Sequence, residues 1–171
     1  MQNRWSKPTA ALHWIGALLI IGLATVGFIM TDLPAESSSR RLLSQMHTIG
    51  GLTLMLLTVA RLIMRRRGGP IEPLPIPVLH QRGIAATHTL LYIVTFGLGL
   101  SGFITGIRST WPDYIQGKLA EAPALGAVAS RQVHEVLVIA LLVLVGLHVG
   151  GVMLQQLRRG GVVRRMMPFL K

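Results

Sequence analysis

Four long apolar stretches separated by polar segments dominate the pattern along the chain. A helix needs about 20 consecutive, mostly apolar residues to cross the hydrocarbon core of a bilayer, and residues 10–30, 46–64, 84–106 and 133–154 satisfy that length. The first stretch follows basic residues, as a signal peptide would, but it is longer than the usual apolar region of a signal and contains a histidine. The pattern therefore predicts an all-α, integral membrane four-helix bundle, with residues 1–171 forming one domain.

The polar connections between these stretches differ in character. The first, over residues 31–45, is short and polar. The second, over residues 65–82, contains RRRGGP and IEPLPIP, and its prolines predict an extended linker because proline interrupts helices. The third, over residues 108–132, is the longest, and we expect it to contain a short helix on the membrane surface.

The composition supports a chain surrounded by lipid. Hydrophobic residues make up 51% of the sequence and charged residues only 13%, whereas soluble domains carry about 25% charged residues. The formal net charge is +11, but the basic residues lie between apolar runs, which favours a membrane protein over a nucleic-acid partner. The sequence has no cysteine, which excludes disulfides, thiolate-held iron–sulfur clusters and covalent haem attachment through C-x-x-C-H.

Lysine and arginine residues near the ends of the stretches predict the orientation, because cytoplasmic edges are enriched in them. One side holds twelve of the 17 basic residues: Arg4, Lys7, Arg61, Arg65, Arg66, Arg67, Arg82, Arg158, Arg159, Arg164, Arg165 and Lys171. The other side holds Arg40, Arg41, Arg108, Lys118 and Arg131. This asymmetry predicts that both termini are cytoplasmic.

Five of the six histidines lie in or at the ends of the apolar stretches: His13, His47, His88, His134 and His148. The sixth, His80, falls in the proline-rich connection and is expected to be solvated. An ionisable group inside a membrane span is costly and usually faces a partner within the bundle.

Helix geometry sorts these histidines into two pairs at two depths. His134 and His148 are fourteen residues apart, which is roughly 21 Å along a helix and only about 40° off the same face. The fourth helix therefore presents one imidazole near the periplasm and one near the cytoplasm. His47 is at the depth of His134, and His13 is at the depth of His148.

Paired imidazoles on either side of a porphyrin make a six-coordinate iron suited to electron transfer. A flat ring needs space beside the helices, and glycines near the histidines would leave it: Gly16, Gly50, Gly51, Gly146, Gly150 and Gly151. The glycines of the third stretch are expected instead to let helices approach closely: Gly97, Gly99, Gly102 and Gly106. The alternative is a haem-free transporter whose histidines bind protons or a metal, although each depth offers two histidines and no acid, and zinc usually takes four ligands.

The chain resembles the bacterial cytochrome b561 family of the inner membrane, whose best-known member is a superoxide oxidase coupled to ubiquinone. The resemblance rests on RWSKPTAALHWIGALLI, MHTIGGLTLMLLTVARLIMR, THTLLY, and HEVLVIALLVLVGLH followed by RRMMP. It implies two b haems, one held by His13 and His148 on the cytoplasmic side and one by His47 and His134 on the periplasmic side. His88 matches a further family histidine, which would serve a haem propionate or a quinone pocket, or replace a ligand.

The chain departs from the family pattern after the fourth stretch. It has Gln155 and Gln156 where the family commonly shows two histidines, and it lacks the aspartate that follows them. A quinone or proton function carried by those family residues would here be altered or carried elsewhere.

The resemblance implies electron transfer from a periplasmic donor, with superoxide as a candidate, to ubiquinone, as in a superoxide:ubiquinone oxidoreductase. The five basic residues of the outer side would attract an anionic donor. The main alternative is a subunit that relays electrons between quinone and a hydrogenase or cytochrome c partner.

Side chains near the membrane surfaces have separate expected roles. Trp111 and Tyr114 are expected to be interfacial anchors, and Trp14 is expected to pack beside His13. The basic residues that could pair with haem propionates are Arg4, Lys7, Arg61 and Arg82.

Overall fold

The computed structural model describes residues 4–69 and 71–167. Within these residues the chain forms five α-helices and one short 3₁₀ helix, Val163–Met166. The helices are α1 (Lys7–Asp32), α2 (Ser38–Arg67), α3 (Val78–Ile107), α4 (Trp111–Ile115) and α5 (Ala129–Arg159). Of the residues discussed above, Pro70, Pro168 and Lys171 lie outside the described residues.

The four long helices, α1, α2, α3 and α5, are each long and apolar enough to cross a membrane, as the sequence predicted. They extend beyond the predicted stretches at both ends. A helix of 30 residues, such as α2 or α3, is about 45 Å long and crosses the headgroup regions as well as the hydrocarbon core. The polar ends therefore stay helical, and the proline-rich linker shrinks to residues 68–77.

Local signals in the sequence fix the helix ends. The Ser6 side chain accepts a hydrogen bond from the Thr9 amide, and the Ser37 side chain accepts one from the Arg40 amide, as serine N-caps commonly do. The last turn of α2 is basic, which suits the negative end of a helix dipole. Helix α5 stops at Gly160, whose φ of 72° favours glycine.

The first and the last of the described residues lie at the same end of the bundle. The Trp5 amide donates a hydrogen bond to the Arg165 carbonyl at 3.0 Å, and Trp14 Nε1 donates to the Met166 carbonyl at 2.8 Å. We call this the basic end; it also contains linker 68–77. The opposite end, called the loop end, contains the connections 33–37 and 108–128, which are joined by a hydrogen bond from the Ala122 amide to the Ala35 carbonyl.

The bundle is built from two helical hairpins. Helix α1 packs along α2, and α3 packs along α5, whereas the hairpins approach each other mainly through α2 and α3. Large apolar side chains such as Leu56 and Leu157 point outwards, as expected where lipid is the solvent. The histidine-bearing faces of α1, α2 and α5 thus meet between the hairpins without close packing of the helices themselves.

Candidate functional site

At the loop end, His47 of α2 and His134 of α5 face each other. Their ring centres are 6.2 Å apart and the ring planes differ by 68°. His47 Nδ1 lies 3.1 Å from the Leu23 carbonyl oxygen, and His134 Nδ1 lies 3.0 Å from that of Leu98. An imidazole that donates its Nδ1 proton to a carbonyl keeps the Nε2 lone pair available for a metal and is held in orientation by that bond.

Two glycines give these imidazoles their space. A Cβ added at Gly27 of α1 would lie 3.3 Å from His47 Cε1, and one added at Gly102 of α3 would lie 3.4 Å from His134 Cε1. The sequence predicts that Gly102 packs helices together, but in the structure it lies against the imidazole of His134. Gly27 was not singled out, because its position opposite His47 depends on how α1 and α2 pack.

At the basic end, His148 of α5 has two histidine neighbours. The ring centres of His13 and His148 are 6.1 Å apart, with planes at 77°, whereas those of His88 and His148 are 5.0 Å apart. His88 Nδ1 lies 2.8 Å from the Ile84 carbonyl of its own helix. The structure therefore brings together the predicted pair and adds His88 beside it.

The distances between ring centres can be compared with those of two imidazoles bound to one metal ion. Metal–imidazole bonds are about 2 Å long, so two imidazoles in line on one metal have ring centres about 6 Å apart. The His47–His134 and His13–His148 pairs match that separation, and the His88–His148 pair is shorter. Residues on separate hairpins thus fit a flat group carrying a six-coordinate metal at each of two levels.

The other glycines divide into two groups. An added Cβ would have no neighbouring atom within 4 Å at four of those expected to leave room for a ring: Gly51, Gly146, Gly150 and Gly151. Gly50 differs, because its added Cβ would lie 2.8 Å from Leu23, so it serves close packing of α1 on α2. Gly97 and Gly99, which face Leu137 and Met55, pack helices together as predicted, whereas at Gly106 an added Cβ would meet no atom within 4 Å, so that prediction was wrong there.

The prediction of a membrane-surface anchor is wrong for Tyr114, whereas Trp111 is half-buried and its role as an anchor stays a prediction. Tyr114 is fully buried, and Trp111 Nε1 donates a hydrogen bond to Thr48 Oγ1 at 3.0 Å. The predicted short helix α4 exists, but its aromatic side chains pack inwards against α2. Arg41 lies over the Tyr114 ring, 5.3 Å from its centre.

The charges at the loop end balance. Five of the six acidic residues of the chain share this end with its five basic residues: Asp32, Glu36, Asp113, Glu121 and Glu135. Lys118 pairs with Asp113 at 3.0 Å, and Arg131 pairs with Glu135 at 2.9 Å. The whole end therefore carries no net positive charge, and attraction of an anion there depends on where individual charges lie.

Two of the remaining loop-end arginines are held by backbone carbonyls. Arg40 donates to the Leu33 carbonyl, and Arg41 donates to those of Leu119 and Ala120. Arg108 is exposed at the end of α3.

The basic residues that could pair with haem propionates differ in how far they are buried. Arg4, Lys7 and Arg82 are exposed, whereas Arg61 is partly buried between helices. His80, expected in a loop, lies in the first turn of α3, where it lines a groove with Gln155 and Arg158. Gln156 Oε1 accepts a hydrogen bond from the Val163 amide and so ties the C-terminal segment to α5.

A bundle of membrane-spanning helices with histidines paired between hairpins has the architecture of a membrane b-type cytochrome. Comparison of sequences identifies the family: a family model described as prokaryotic cytochrome b561 matches residues 4–169. The chain belongs to this family of haem b membrane electron-transfer proteins, and four helices able to span the membrane agree with a multi-pass protein of the bacterial inner membrane.

Two proteins of Escherichia coli (strain K12) are similar to it. Cytochrome b561 homolog 2 is 28% identical over 131 residues, covering 76% of this chain and 69% of that protein. Cytochrome b561 homolog 1 is 30% identical over 101 residues, covering 58% of this chain and 57% of that protein. No solved structure matches the chain.

Proposed function

We propose that the chain holds two b haems, one at each end of the bundle, and carries electrons from a periplasmic donor to a quinone in the membrane. His47 and His134 would bind the loop-end haem, and His13 and His148 the basic-end haem. The observation that supports this most directly is the pair of ring separations near 6 Å, both formed by histidines on different hairpins.

The surroundings of the histidines also support electron transfer. A bis-histidine haem b supplies one-electron transfer with no open position for a small ligand. The carbonyls of Leu23 and Leu98 orient His47 and His134 from the neighbouring helices α1 and α3, and Ser101 Oγ lies 3.1 Å from His134 Nδ1. Rings held in this way need little rearrangement when an electron arrives or leaves.

The haem assignment argues against a haem-free transporter, since the family binds haem b.

Ubiquinone is the proposed electron acceptor, taking two electrons and two protons to form the quinol. Superoxide is the proposed donor: two superoxide ions would each lose one electron and leave as dioxygen. Because the family histidines after α5 are replaced by Gln155 and Gln156, other groups would have to supply any protons they handle.

An ion pair at the loop end provides a specific test of superoxide as the electron donor. Arg131 lies in the first turn of α5, three residues before His134, and forms an ion pair with Glu135 one turn further on. Glu135→Gln would leave Arg131 unpaired beside the histidines. We expect faster reduction of the loop-end haem by superoxide in this variant and a steeper fall with added salt, because attraction is screened over about 10 Å at 0.1 M.

The measurement is stopped-flow reduction by superoxide across a salt series. Glu121→Gln, in the exposed loop, is the matched control and should change the rate much less. A rate that is identical in Glu135→Gln and the parent protein would show that an anion does not react at this position. Complete absence of haem reduction by superoxide would instead favour the alternative function, a subunit that relays electrons between quinone and a partner protein. The balanced charge of the loop end also supports that alternative.

A further inference from the structure

Arg61 occupies a position on α2 that mirrors His148 on α5. It follows His47 by fourteen residues, the same spacing that separates His134 from His148. This spacing places Arg61 roughly 21 Å further along α2 and about 40° from the face that carries His47. Arg61 therefore lies at the level of the basic-end histidines.

Arg61 belongs to a cluster of cations and aromatic rings between α2 and α3. Its guanidinium carbon lies 5.6 Å from the centre of the Tyr92 ring, and that of Arg65 lies 6.0 Å from the same ring. Arg65 also lies over Trp5, 5.4 Å from the ring centre. Tyr92 follows His88 by one helical turn, so it faces the same side of α3.

Two buried polar atoms of this cluster have no hydrogen-bond partner in the part of the chain that the structure describes. Arg61 Nε and the Tyr92 hydroxyl are buried without a hydrogen-bond partner among the described residues. Across residues 4–69 and 71–167, neither Arg61 nor Arg65 has a carboxylate within salt-bridge distance. A charged group withdrawn from water without a counter-ion is costly, and more so within a membrane protein.

We infer that Arg61 and Tyr92, with Arg65 beside them, bind the propionate carboxylates of the basic-end haem. The inference rests on the proposed haem at His13 and His148. A haem bound between His13 and His148 would lie at the level of this cluster. Its propionate carboxylates would supply the anion that the cluster lacks. Arg61 is then a positioning residue whose positive charge favours the reduced haem and raises its reduction potential.

The test compares Arg61→Gln with Arg61→Lys and Tyr92→Phe in the haem-loaded protein. Arg67→Gln is the matched control, because Arg67 is exposed in the last turn of the same helix. Redox titration should show a lower midpoint potential for the basic-end haem in Arg61→Gln and no change for the loop-end haem. Arg61→Lys should restore most of the potential, and Arg67→Gln should leave both haems unchanged.

Resonance Raman spectroscopy gives a second readout that a purely structural role would not move. The propionate bending mode of the basic-end haem should shift in Arg61→Gln and in Tyr92→Phe. An unchanged potential and propionate mode in Arg61→Gln would overturn the inference, as would equal potential shifts in Arg61→Gln and Arg67→Gln. Loss of the basic-end haem in Arg61→Gln but not in Arg61→Lys would support it, and loss in both would overturn it in favour of packing.

These outcomes are distinct from a failure of the proposed function. If the parent protein holds no haem at the basic end, its haem-to-protein ratio is one or less and His134→Ala removes the remaining haem; both results are obtained before any Arg61 variant is made.

Discussion

Replacing His134 with alanine is expected to remove the loop-end haem and to leave the basic-end haem in place. His134 is the imidazole that faces His47 across the hairpins at 6.2 Å, and alanine offers no ligand in its place. The pyridine haemochrome of the purified protein should fall from two haems per chain to one. The remaining haem should keep the reduced α-band and midpoint potential that it has in the parent protein.

A glycine pair on α3 provides a milder version of this experiment with a matched control. Gly102→Val should displace the His134 ring, since even a Cβ at Gly102 would lie 3.4 Å from His134 Cε1. Gly106→Val lies one turn further on the same helix, where an added Cβ meets no atom within 4 Å. The spectrum of the loop-end haem should change in Gly102→Val and stay normal in Gly106→Val. Equal effects of the two glycine variants would contradict the assignment of this haem to His134. Loss of both haems in His134→Ala would contradict it as well.

Replacing His13 with alanine is expected to remove the basic-end haem, whereas replacing His88 is not. Two imidazoles compete for the place opposite His148, and the ring separation of 6.1 Å for His13 fits a shared metal better than the 5.0 Å for His88. His88→Ala should therefore keep two haems per chain. We expect only a change in the spectrum or potential of the basic-end haem, because His88 lies beside His148.

The same haemochrome assay, run on both variants, checks this prediction. Low-temperature electron paramagnetic resonance of the oxidised protein adds a test of the ligands, because bis-histidine haems give characteristic low-spin signals. If His88→Ala loses one haem and His13→Ala keeps two, His88 is the ligand and the pairing derived from helix depth is wrong.

Much of this arrangement could be predicted from the sequence because helix geometry is regular. The fourteen-residue spacing of His134 and His148 gives two levels on one face of a helix whatever the rest of the bundle does. The alternating direction of the spans then assigns His13 and His47 to those levels. The same arithmetic on α2 places Arg61, one of several basic residues near the cytoplasmic side, at the level of His13 and His148.

Features that depend on helix rotation could not be predicted in this way. The approach of His88 to His148 is set by how α3 turns against α5, and the contact of Gly27 with His47 is set by the packing of α1 on α2. The burial of Tyr114 results from the folding of a long connection back onto α2. Each of these needs the tertiary arrangement, which hydropathy and spacing do not specify.

The most direct test of the central claim is the ratio of haem b to polypeptide in fully loaded parent protein, determined by pyridine haemochrome and amino-acid analysis. Two histidine pairs at two levels predict two haems per chain, which a redox titration of the reduced-minus-oxidised spectrum should resolve as two components. A ratio of one or less in saturated protein would contradict the claim that both pairs bind haem.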